Sequence, residues 1–160
     1  MSRARSTLVL TASLLGLAGC NSAPPPFNPD DPAIVATIDS LVAGAIAGAS
    51  AADAEKVLSI ADSTGELTFI TGDMLLTGLE PIRQQFRATY SGLQSQQQSF
   101  TAKRVRILSP DVAVVMAVGE GTYTDKSGWT SEPVGMGTTI IFVRKGGQWH
   151  ARHVHQSIAP

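Results

Sequence analysis

Cysteine occurs once in the 160 residues, at Cys20, so no intrachain disulfide can form and no disulfide framework supports the fold. Stability must come from buried apolar surface, and the length suits one domain with a real core and is too short for two. Charge is sparse at 16%, and twelve basic against thirteen acidic residues leave a formal net charge of −1. With Arg3 and Arg5 set aside the remainder is more acidic still, and no basic patch is present, which excludes the electrostatic footprint of a nucleic-acid binder.

The lone cysteine is explained by its position. Arg3 and Arg5 precede an apolar run from Leu8 to Leu17 that closes in Leu17-Ala18-Gly19-Cys20. About ten residues in a helix rise only about 15 Å, half a bilayer core, so this run reads as a signal-peptide core and not as a lasting span. The closing tetrapeptide resembles the lipobox of bacterial lipoproteins, which implies cleavage before Cys20 and acylation of its thiol and new amine. Residues 1–19 are then a lipoprotein signal peptide, and residues 20–32 a lipidated cysteine with a Pro-rich tether. Prolines 24, 25, 26, 29 and 32 fix φ and remove donors, which favours an extended, hydrated spacer. Asn21 after the cysteine, by the same resemblance, favours the outer over the inner membrane, with the domain on the periplasmic face.

Residues 33–160 carry the folded domain. Asp31 suits a helix cap and Pro32 the first helical position, with apolar side chains recurring from Ile34 to Ala49. Gly44 and Gly48 allow close approach of another backbone. Ser50 with Asp53 resembles a capping box for a second helix through about Ala61. Leu67–Thr71 reads as a strand, Gly72-Asp73 as a tight turn and Met74–Leu76 as the return. A third helix runs from Gly78 to Gly92, with Pro81 in its first turn. Strands at about Phe100–Leu108, Val112–Thr124 and Ser131–Arg144 follow, divided by turn-forming residues, and the Gln94–Gln98 piece leads into an exposed strand edge. The plan is α+β, with three N-terminal helices on one face of a curved, mostly antiparallel sheet. Both parities of the middle strands are apolar, for example Val114 and Met116 against Ala113 and Val115. A second cover is therefore expected, either a homodimer packed sheet to sheet or the chain's own termini and spacer.

The last strand holds most of the candidate chemistry. Strict alternation places Trp149, Ala151, His153, His155 and Ser157 on one face, an aromatic, two imidazoles and a hydroxyl over the hollow of the sheet. The element order, Asp111-Val112-Ala113-Val114, Thr139 ten residues before Trp149, and the ending His155-Gln156-Ser157 together resemble the nuclear transport factor 2-like superfamily, nearest its SnoaL-like or DUF4440-type branch. The resemblance covers roughly Pro32 to Ser157. It implies a cone-shaped barrel with a pocket at the wide end, usually a dimer, which different members use for isomerisation, cyclisation, hydrolysis, dehydration or plain binding. In enzymes similar to ketosteroid isomerase the base position falls here at about Thr68 or Phe69 and the acid at Thr139, and the first helix has no tyrosine, so that chemistry is disfavoured.

The expected pocket wall is Trp149, His153, His155, Ser157, Thr139, Phe69 and Tyr90. Candidate catalytic groups are His155 or His153 working with Asp73 or Glu120, since imidazole titrates in the useful range. His153 and His155 stand about 6.5 to 7 Å apart on one face, a spacing two ligands of one metal can have. Only Asp73 or Glu120 could add a third, so neither metal nor cofactor is expected. Glu120 between two glycines reads rather as a solvated edge carboxylate, and Ser157 lacks the strained elbow of a nucleophile. Two functions stand: a lipid-anchored envelope protein binding a small apolar or amphipathic ligand or a partner, or an isomerase, cyclase or hydrolase using His155 with a carboxylate.

Overall fold

The computed structural model describes residues 27–159. The expected signal peptide, the expected lipidation site Cys20 and most of the expected tether lie outside the described residues. Asp31 opens α1 (Pro32–Ser50), its carboxylate accepting from the N–H groups of Ala33 at 2.9 Å and Ile34 at 3.5 Å, with Pro32 in the first helical turn. This is the cap that the Asp-Pro pair encodes, since Pro has no N–H to satisfy there. By length and mean hydropathy, 1.7, α1 could cross a membrane. It is also a core helix: Ile38 and Val42 are buried in the central apolar cluster, with Ile34, Leu41 and Ala45 packed against it.

The second helix is shorter than its pattern implied. α2 (Ala54–Leu58) is capped by Asp53 alone, which accepts from Lys56 N at 3.1 Å, while Ser50 ends α1. Its exit is closed by the Ser59 hydroxyl on the Lys56 carbonyl. The chain then turns so that the Ile60 carbonyl accepts from Ala151 N at 2.7 Å and Ala61 pairs with Ala151 in a parallel β-bridge, an extended pairing that a helix continued to Ala61 could not make. β1 (Thr68–Thr71) and β2 (Met74–Thr77) form the expected hairpin across Gly72-Asp73, with Gly72 at φ +57° where a left-handed residue is required. Gly78, at φ +93°, leads into α3 (Leu79–Ser91).

A meander follows: β3 (Leu93–Ser109), β4 (Val112–Asp125), β5 (Val134–Lys145) and β6 (Gln148–Ile158). β3 takes in the glutamine-rich piece, so the edge strand begins seven residues earlier than Phe100. The sheet order is β2-β1-β6-β5-β4-β3, antiparallel throughout except β1 with β6. Three helices lie on one face of this sheet, and the core between the two layers is built from Ile38, Val42, Ile82, Val115, Ile140, Phe142 and Trp149.

Two β-bulges decide which side chains face that layer. Thr101 is the extra residue between Phe100↔Gly119 and Ala102↔Val118. It switches the inner set of β3 from even residues (Gln96, Gln98, Phe100) to odd ones (Val105, Ile107). Arg152 is the extra residue between Phe142↔Ala151 and Ile141↔His153, and it does the same to β6.

Candidate functional site

Trp149 and Ala151 are buried on the inner face of β6, as alternation requires. Past Arg152 the parity reverses, and Val154, Gln156 and Ile158 line the inner cavity. His153, His155 and Ser157 therefore turn to the outer face of the sheet. His153 is held there by Thr68, whose hydroxyl lies 2.7 Å from its Nδ1, and His155 is exposed. Thr139 pairs with His155 and shares its face. The expectation that these four residues form the pocket wall is thus corrected: one inserted residue turns His153, His155 and Ser157 outward, and Thr139 is outward because β5 turns Thr138, Ile140 and Phe142 inward. Trp149 is inward but belongs to the packed core rather than to the cavity wall.

The cavity holds about 320 Å³, between α1, α2 and α3 on one side and the inner face of the sheet on the other. Of the expected wall, Phe69 and Tyr90 line it. They belong to an aromatic row, Phe69 to Phe86 at 5.3 Å between centroids and Phe86 to Tyr90 at 5.6 Å, in tilted and edge-on contacts that lock α3 over β1. Tyr90 is 7% exposed and burial pushes its phenol up to about 12, so it stays a neutral hydroxyl across the physiological range.

The polar part of the wall was missed by alternation alone. Thr71, Gln156 and Thr138 all line the cavity and are direct neighbours across β1, β6 and β5. Gln85 and Thr89 from α3 and Gln96 and Gln98 from β3 add further amides and a hydroxyl. Gln156 could be found from sequence only by placing the bulge, which nothing in Ala151-Arg152-His153 announces, whereas Thr138 follows from unbroken alternation with Ile140 and Phe142 on β5. Among the described residues no Asp, Glu, Lys, Arg or His lines this cavity.

The carboxylates assigned to the imidazoles are elsewhere. Asp73 is exposed in the β1–β2 turn, and Glu120 is exposed on β4 opposite Gly135. Among the described residues no three His, Cys, Asp or Glu side chains gather as a metal site would need. The geometry therefore provides no acid/base pair around the cavity: His155 and His153 are on the wrong side of the sheet, and no carboxylate is within the wall.

The family model described as the calcium/calmodulin dependent protein kinase II association domain matches residues 33–160. No curated protein sequence matches the chain. Among solved structures, the association domain of the C. elegans kinase is 21% identical, with a TM-score of 0.64 over 81% of this chain and 99% of that one. A nuclear transport factor 2-like superfamily protein from Salmonella enterica serovar Typhimurium is 15% identical, with a TM-score of 0.70 over 79% and 91%. A hexachlorocyclohexane dehydrochlorinase of type 2 is 16% identical, with a TM-score of 0.70 over 82% and 88%. At these identities the likeness establishes the fold, the cone-shaped nuclear transport factor 2-like barrel, and the fold hosts binding proteins and enzymes alike.

Proposed function

This chain belongs to the calcium/calmodulin dependent protein kinase II association-domain family, and from that premise we propose a binding and assembly protein, tethered to the bacterial envelope through a lipidated Cys20, whose barrel holds a small, mostly apolar molecule. The observation that carries the binding role is the cavity itself: about 320 Å³, walled by Ile46, Leu58, Phe69, Phe86, Ile140 and their neighbours, with hydrogen-bonding groups but no charge. Sites of this size and character are the usual receptacles of small ligands. The absence of a carboxylate and an imidazole from that wall favours binding over the acid/base reaction that His155 with Asp73 or Glu120 would have run.

Assembly is supported by the outer face of the sheet. Met116 and Val118 on β4 are 41% and 53% exposed, beside Ile141 and Val114 on the same face. A stripe of this kind, uncovered among the described residues, marks a protein contact, and a second copy packed sheet to sheet is the economical partner. Anchoring is supported by the sequence alone, through the Leu17-Ala18-Gly19-Cys20 motif.

Native mass spectrometry of the full-length chain, released gently from its host, tests the binding role. A mass excess that disappears on denaturation, with a small molecule recovered in the organic extract, is the expected result. A clean apo mass, together with failure to take up any neutral apolar dye, would refute it.

A further inference from the structure

The sheet's inner face carries its polar groups in one row. Thr71, Gln156 and Thr138 are cross-strand partners on three adjacent strands, and all three line the cavity. The row on one side of them is Phe69, Val154 and Ile140, and Ile158 lies on the other. A hydrogen-bonding band is thus set between apolar walls, where the sheet could have been apolar throughout. The Thr138 hydroxyl is buried without a hydrogen-bond partner. Buried polar groups in folded proteins are almost always satisfied; the Thr138 oxygen is closed off as it stands, so a turn of its side chain to another χ1 rotamer is what would present this orphan hydroxyl to an occupant of the cavity it lines.

Resting on the binding role proposed above, we infer that the cavity takes a neutral amphipathic molecule, an apolar body with one uncharged hydrogen-bonding group, a hydroxyl, carbonyl or amide, seated on Thr138 and Gln156. Threonine both donates and accepts, and the glutamine amide offers an oxygen and an NH₂, so the pair fits a head group of either polarity. What it cannot do is neutralise a charge. A carboxylate or an ammonium moved into this wall would lose its hydration and find no counter-ion among the described residues, a cost that dipoles alone do not offset. The aromatic row of Phe69, Phe86 and Tyr90 and the aliphatic face of α1 accept the body of the molecule.

A competition assay on the full-length chain separates these points. Nile red, a neutral apolar dye, is bound and then displaced by octanol, octanamide, octanoate or octylamine, which share a tail length and differ in the head. The expected order has octanol and octanamide displacing dye at concentrations at least about tenfold below those needed for octanoate and octylamine. In Thr138→Val, dye binding should persist while the affinity for octanol falls several-fold, and Thr138→Ser should restore it. Equal displacement by octanoate or octylamine would overturn the neutral-head inference while leaving a binding cavity in place. Unchanged octanol affinity in Thr138→Val would remove Thr138 from the seat. Failure of Nile red to bind the wild-type chain would instead overturn the binding role itself.

Discussion

Asp62 shows how much one side chain holds together away from the cavity. It is 7% exposed in the segment after α2, and its carboxylate accepts from Thr64 N at 2.9 Å, the Thr64 hydroxyl at 2.7 Å and Lys145 Nζ at 3.1 Å, and forms an ion pair with Arg152 at 3.4 Å. The Thr64 backbone N–H and hydroxyl, then the Lys145 ammonium, hold its pKa far below the ordinary carboxylate range. A carboxylate whose folded pKa is depressed adds stability that is full above its unfolded value, about 3.9, and is lost as pH falls toward the folded one. Asp62→Asn should therefore lower the Tm at pH 7, and the gap to wild type should close as the pH is taken below about 4; a gap that stays constant with pH would show that the charge is not what matters. Arg152 is also the bulged residue of β6, bonded on its other side to the Glu66 carboxylate and carbonyl. The same anchored arginine thus accompanies the parity change that sends His153 and His155 outward. Residues on strands and helices of unbroken period, Phe69 and Tyr90, could be assigned to the cavity from sequence. His153, His155 and Ser157 could not, because alternation is blind to a bulge and every residue after it inherits the error.

At the scale of elements, the local chemistry was legible where a single residue forces the backbone. Asp31-Pro32 starts α1, Gly72 turns β1 into β2, and Gly78 and Gly92 bracket α3. It was less legible where tertiary contacts choose: α2 stops at Leu58 because the next residues are taken by the edge of β6. The two glycines of α1, alike in sequence, separate in the structure. A methyl group on Gly48 would sit 2.5 Å from Val57 N and 2.8 Å from Lys56 C, whereas one on Gly44 meets nothing within 4 Å. Gly48 is the point where α1 and α2 touch backbone to backbone, and Gly48→Ala should destabilise by about 1 to 3 kcal/mol through overpacking. Gly44→Ala should do the opposite, adding about 0.5 to 1 kcal/mol by removing the entropic cost of glycine in a helix. Urea denaturation of the pair checks both signs, and a Gly48→Ala chain as stable as wild type would mean that α2 is free to move away. The ion pairs that join α2 to α3, Glu55 with the half-buried Arg83 and the exposed Arg87, lie at the surface and contribute little by comparison.

For the molecule as a whole, the doubly apolar strands resolve into an inner set, Ala113, Val115 and Ala117, all nearly inaccessible, and an outer set ending in the exposed Met116 and Val118. If the outer set is a contact between two copies, analytical ultracentrifugation of the wild-type chain should give a dimer, and Val118→Asp should shift it to a monomer with the barrel still folded. A wild-type monomer at high concentration would remove that role. Cys20→Ser should move the protein from the membrane fraction to the soluble one, and unchanged fractionation would refute the lipid anchor. The architecture has a further consequence for how the chain is made. β6 lies between β1 and β5, so the first hairpin joins the meander only through the last strand. A nascent polypeptide therefore cannot close this barrel until β6 has left the ribosome, and its contacts of long sequence separation favour slow, late folding. That delay makes β6, the strand that joins the two parts of the sheet, the least dispensable piece of the domain.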